Sequence, residues 1–219
     1  MKESRKNGIP EKLSGALSPE NPAMMGLAWA FDMLVLSVVT VAACIPVVTA
    51  GAALVAMHYC LFHRVNGDDG EVFPSFVTAF RQNFIQSTIM WMLILAQGTA
   101  VVLLVRNRAV PMNSVVYGLL VVYGLVLAGV SCFLLPVLGR YENGLALQLK
   151  LAAQLAILYL PKTAGMLVLE AGFAAFCRAL PIRIGMLAGV VGLAPISYFI
   201  ARLYVPAFLA IEKIKFGNE

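Results

Sequence analysis

Residues 24–45 read MMGLAWAFDMLVLSVVTVAACI, about 22 residues in which Asp32 is the one charged side chain. As a helix this stretch rises roughly 33 Å, enough for the roughly 30 Å hydrocarbon core of a bilayer. A barrel strand would alternate polar and apolar side chains, and this run does not. Backbone amides in lipid must be satisfied internally, so a spanning helix is the form that remains. Val41 to Cys44 resembles a bacterial lipobox. Another apolar run follows almost at once, where a lipoprotein would begin a soluble domain, so the stretch reads as a true span and not a cleaved leader.

The composition carries the same message over the whole chain. Of 219 residues, 61% are hydrophobic and 12% charged, and the mean hydropathy is +0.87. Soluble domains carry about 25% charged residues, and this chain has too few to cover a surface in water. The net charge of +5 reads as cytoplasmic loop charge. No basic face interleaved with aromatics appears, so nucleic acid is not an expected partner. Cys44, Cys60, Cys132 and Cys177 lie scattered in apolar runs without a CxxC pair, which indicates neither zinc nor a disulfide framework.

Before the first run, residues 1–23 are polar, basic and broken by Gly and Pro, and read as a flexible cytoplasmic tail. After it, Pro46 cannot continue the hydrogen-bond ladder, and Thr49 is the expected N-cap of a short helix from Ala50 to about Phe62. A polar turn, Arg64 to Glu71, leads into Phe73, Phe76, Val77, Phe80 and Phe84 at helical spacing. This reads as an amphipathic helix in the membrane interface feeding the next span. Further spans are expected at Ile85–Val105, Val115–Leu138, Thr163–Cys177 and Gly185–Ile211. Leu145 to Leu160 carries Gln148, Lys150 and Gln154 before Pro161. A lysine at mid-span costs about 3 kcal/mol, which places that segment on the cytoplasmic surface. The expected fold is all-α: a polytopic helical membrane protein with about six transmembrane helices and interfacial amphipathic helices. A single transmembrane domain covers residues 24–214, and residues 215–219 form a cytoplasmic C-terminus.

Charge orients this arrangement. With the N-terminus inside, the cytoplasm receives Lys2, Arg5, Lys6, Lys12, Arg64, Arg81, Arg140, Lys150, Lys162, Lys213 and Lys215, and the outside Arg106, Arg108, Arg178 and Arg183, which is 11 against 4. That asymmetry is what the positive-inside rule expects of a multi-pass protein in a bacterial cell membrane, both termini cytoplasmic. Were the Ala50–Phe62 helix not to cross, later loops would flip and the asymmetry would largely vanish.

Asp32, Glu170 and Arg202 are ionisable groups inside apolar runs, which makes them binding candidates, with Arg202 pairing Glu170 or Asp32 as the simplest arrangement. The competing reading is a structural ion pair or a snorkelling side chain. Thr49 joins them because the break at Pro46–Thr49 fits a broken helix whose N-terminus faces a ligand. His58 and His63 are five positions apart, which suits packing better than a metal. Gly185, Gly189 and Gly192 carry a GxxxG pattern that predicts close helix packing. The chain has no H-E-x-x-H, P-loop or G-x-S-x-G motif, so no catalytic, cofactor-binding or metal residue is assigned and an enzyme is not expected.

Four pieces taken together resemble the YesL family of small bacterial membrane proteins. They are Ile45-Pro46-Val47-Val48-Thr49-Ala50-Gly51-Ala52, Phe76 to Phe84 with Phe80-Arg81-Gln82-Asn83-Phe84, Trp91, and Pro136-Val137-Leu138-Gly139-Arg140-Tyr141-Glu142-Asn143. The resemblance spans roughly Met24 to Ile214, with Gly139-Arg140-Tyr141 standing where Ala-Arg-Phe is expected. It implies an association with carbohydrate uptake, as an accessory membrane subunit packed against the permease subunits of an oligosaccharide ABC importer. No sugar-binding residue in the chain supplies that implication. On this reading Phe76, Phe80, Arg81 and Asn83, with Arg140, Glu142 and Asn143, are candidate partner contacts. The alternative is a standalone small-solute transporter or channel, possibly oligomeric.

Overall fold

The structure, a computed structural model, describes residues 21–68, 70–106, 113–141 and 144–216. The described residues form seven α-helices and one short 3-10 turn, with no strand among them. The helices are α1 (Pro22–Cys44), α2 (Ala50–Val65), α3 (Val72–Arg106), α4 (Ser114–Arg140), α5 (Leu145–Leu158), α6 (Leu160–Ala179) and α7 (Ile182–Phe216). The 3-10 turn, Val47–Thr49, joins α1 to α2. Of the tail expected over residues 1–23, residues 1–20 lie outside the described residues.

Five of these helices, α1, α3, α4, α6 and α7, are long and apolar enough to cross a membrane, so the chain is an all-α multi-pass membrane protein. The sixth expected span, α2, has 16 residues and is about 24 Å long. It runs back alongside α1 and pairs most extensively with α3. Eleven of its residues are buried, among them Ala52, Ala53, Val55, Ala56 and Leu61. A helix wrapped by its neighbours does not have to match the thickness of the lipid.

The helix ends follow from their sequences. Pro22 opens α1 in its first turn, and the Asn21 side chain accepts from the Ala23 amide at 3.1 Å. At the other end Pro46 brings no N–H, and Thr49 donates its hydroxyl to the carbonyls of Ala43 (2.6 Å) and Pro46 (2.8 Å). The expected N-cap is thereby corrected. Thr49 precedes the first residue of α2 but has helical backbone angles and makes no cap bond. The carbonyls orphaned at the end of α1 claim its hydroxyl instead. Trp91 of α3 donates its indole N–H to Val47 O at 2.9 Å and ties the turn down. A related repair holds α1 against α7. Pro195 cannot bond the carbonyl of Val191, and the buried Ser37 hydroxyl donates to that oxygen at 3.2 Å while accepting from the Ala194 amide at 3.0 Å.

Three expectations change in detail. The Phe73–Phe84 stretch is the first part of one uninterrupted helix of 35 residues, and part of its aromatic face meets protein while Phe73 stays exposed. Phe76 is buried in the core, and Phe80 packs against it. Pro161, expected as a stop, also opens α6. Thr163 bonds the carbonyls of Ala156 (3.0 Å) and Tyr159 (3.1 Å) across that junction. In the GxxxG stretch, Gly185 lies against the Cys177 carbonyl and Gly192 against Phe173, but Gly189 meets nothing. The close approach uses the two outer glycines.

Between α2 and α3 the close contact is at Gly51, where a methyl group would collide with the Trp91 side chain and stand 2.8 Å from the Ser87 carbonyl oxygen. Gly51→Val is expected to cost about 1–3 kcal/mol, read as a lowered melting temperature in detergent. Gly26→Ala, where the added methyl meets no atom within 4 Å, should leave melting unchanged.

Candidate functional site

The one strongly polar cluster among the described residues forms where α2 ends beside the middle of α1. Asp32 lies 12 positions before Cys44, and Arg64 lies 14 positions after Ala50. Because α2 folds back along α1, these spans of roughly 18 and 21 Å bring the two residues level. The Arg64 guanidinium donates to the Asp32 carboxylate in an ion pair whose side chains are 17% and 29% exposed. That partial burial separates the pair from freely solvated surface pairs, which contribute almost nothing.

The turn after α2 closes around the same spot. His63 Nδ1 lies 2.9 Å from Asp68 Oδ2, and the Asp68 amide donates to His63 O at 3.0 Å. Gly67 takes φ of 91°, a left-handed conformation that glycine adopts without steric cost. Together these enclose a cavity of about 100 Å³, lined by Met33, Tyr59, Cys60, His63, Arg64 and Ser75 among others. Ligand pockets for small organic molecules run from about 300 Å³ upward, so this one suits a few waters and not a sugar ring. The Cys60 thiol points to Val72 O at 3.8 Å. Among the described residues no group of three or more His, Cys, Asp or Glu is placed to hold a metal ion.

The other candidates do not converge here. Arg202 is exposed and lies over the ring of Tyr198, 5.8 Å from its centroid and one turn away on α7. Its expected carboxylate partners are engaged elsewhere. Asp32 holds Arg64, and Glu170, on the exposed side of α6, sits 3.7 Å from the Cys132 thiol of α4. Asn83 donates to Ala79 O at 3.1 Å within α3, and Arg81 is exposed on the same helix. The Arg140 guanidinium stacks over Phe62 at 4.6 Å, joining the end of α4 to the end of α2. Glu142 and Asn143 lie outside the described residues.

Sequence reading missed Arg64 and Asp68 as the partners of Asp32 and His63. Counting outward from the Pro46 break in both directions would have found the first pair. Also missed was an aromatic cluster in which Phe208 of α7 packs against Phe62, Phe133, Tyr141 and Tyr204, with centroids 5.4–6.4 Å apart. His58 joins it through Tyr204, Nδ1 to hydroxyl 3.3 Å. These residues come from three helices distant in sequence, and no local spacing signals them.

Asp32→Asn takes the Asp32 carboxylate away from the largely buried Arg64 guanidinium and is expected to cost about 2 kcal/mol in detergent thermal melts. Asp32→Asn with Arg64→Met should lose clearly less than the two single losses added together, a coupling of about 1 kcal/mol or more. His63→Ala, acting on a more exposed pair, should cost about 0.5 kcal/mol.

Residues 24–105 match a family model described as "Protein of unknown function, DUF624", the family to which YesL-like proteins belong. The matched segment runs from α1 through α3 and so contains the ion pair, the break and the Trp91 anchor. No curated protein and no solved structure matches the chain.

Proposed function

We propose that the protein is a non-catalytic accessory subunit of an oligosaccharide ABC importer in a bacterial cell membrane, with both termini in the cytoplasm. The observation that carries this reading is α5. At 14 residues it is about 21 Å long, too short to cross a bilayer. It exposes Leu147, Leu149, Ile157 and Leu158 beside Lys150 and Gln154. Beneath it the buried Gln148 donates to Tyr141 O at 2.6 Å and to Gln86 Oε1 of α3 at 3.3 Å. The helix is thus anchored from below while its mixed apolar and basic face stays open, as a docking element would be. The cavity beside the ion pair, too small for a sugar ring, also favours a subunit that handles no sugar itself. The carbohydrate link rests on the YesL resemblance.

The second reading, a standalone small-solute transporter or channel, draws on the broken α1–α2 helix. Solute flux in proteoliposomes holding this protein alone would favour it.

Co-purification in mild detergent from cells expressing the whole locus tests the first reading. Permease subunits should accompany the wild-type chain. Lys150→Glu combined with Ile157→Glu should reduce their yield by about tenfold, the effect of losing one strong interface contact. Recovery of the wild-type chain without permease subunits would overturn it. Labelling of Lys150 from outside the cell would overturn the orientation.

A further inference from the structure

The outer halves of α3 and α4 leave a groove between them that the chain itself does not fill. It has a volume of about 540 Å³ and is walled by Ile94, Leu95, Val102, Leu103 and Leu127, with Gly98, Gly124 and Ala128 among the small residues lining it. A methyl group added at Gly98 or Gly124 would meet no atom within 4 Å. Glycine inside a helix costs up to about 1 kcal/mol relative to alanine. At these two positions no close packing within the chain offsets that cost. Open space over a bare backbone is what a ligand lying against the helix requires.

Length and charge identify the occupant. From Ile94 to Leu103 the groove runs about 14 Å along α3, close to the roughly 15 Å depth of one leaflet of the hydrocarbon core. The face formed by residues 94, 98, 102 and by 95, 99, 103 continues one turn further to Arg106, which is exposed at the end of α3. Among the described residues no carboxylate lies in ion-pair reach of Arg106, and the connecting sequence 107–113 brings Arg108 and no acid. On α4 the groove face continues upward to Tyr117, which is 61% exposed, an aromatic at the position of an interfacial belt. The N-terminal end of α4, with its partial positive charge, opens at the same mouth.

We infer that this groove holds one acyl chain of an anionic phospholipid, whose phosphate pairs with Arg106 at the groove mouth. The inference does not depend on the importer reading, since it concerns a different surface from α5. The cation fixes the headgroup class and the small residues accept the chain.

Native mass spectrometry of the full-length protein, released from detergent in the presence of phosphatidylglycerol or chain-matched phosphatidylcholine, tests this. One phosphatidylglycerol per chain should be retained, with a preference of about fivefold over phosphatidylcholine, the scale of one Lys or Arg contact at an anionic surface. Arg106→Ala should remove the headgroup preference and Arg106→Lys should keep it. Gly98→Leu with Gly124→Leu should fill the groove and lower retention of both lipids. Because the space is empty, these leucines should leave the melting temperature unchanged or raised. Equal retention of the two lipids by the wild-type chain, or an unchanged preference in Arg106→Ala, would overturn the inference. So would a lipid-free dimer cross-linked through Gly98→Cys, which would assign the groove to a second copy.

Discussion

The constraint on which the rest of this structure depends is the burial of a short helix inside a bundle of long ones. Lipid offers α2 no hydrophobic incentive to leave the bilayer's apolar phase for the protein interior, because the tails are as apolar as its side chains. Close packing and hydrogen bonding must therefore hold it. Both are present. Alanines and Gly51 let α3 approach to contact, the Thr49 hydroxyl and the Trp91 indole secure its entrance, and the Asp32–Arg64 pair secures its exit.

This explains why the polar groups in the chain's apolar runs sit where they do. Ser37 satisfies a carbonyl that Pro195 leaves open, and Thr163 bonds the Ala156 and Tyr159 carbonyls where the chain turns at Pro161. Proline breaks the ladder of backbone bonds, lipid cannot repair the break, and a neighbouring hydroxyl does. Asp32 belongs to the same class. Its carboxylate answers a cation carried by the end of α2, and the cavity beside it is too small to take up an organic ligand. The polar cluster is a fastening point, and the surfaces proposed as open to other molecules lie elsewhere, on α5 and between the second half of α3 and the first half of α4.

Those outer surfaces differ in kind. The α5 face mixes leucines with Lys150 and Gln154 on a helix too short to cross, and Gln148 pins it from below. The α3–α4 groove is mostly apolar, with Thr99 and Ser131 in its wall, and has Arg106 one turn beyond its end. On the readings proposed above, the first would dock a protein and the second would take a lipid chain. A subunit that works beside other membrane proteins would use both, holding a partner by one and ordering lipid by the other.

The class of the fold follows from composition and run length alone. Long uncharged runs such as residues 24–45 can only be helices in lipid, and Pro46, Pro161 and the polar turn after Arg64 marked where those helices begin and end. The period of the phenylalanines revealed a helix at 73–84 but not that Phe76 is buried against protein while Phe73 stays exposed. An apolar stripe looks the same whether lipid or another helix covers it. Which side chains meet emerges when the helices pack. Arg64, and not Arg202, reaches Asp32, Glu170 faces a thiol, and Phe208 gathers an aromatic cluster from α2 and α4. Pairing between charges depends on the register and tilt of helices far apart in the chain. That register is set by the summed packing of small residues such as Gly51 and Gly192, a quantity that no local spacing encodes.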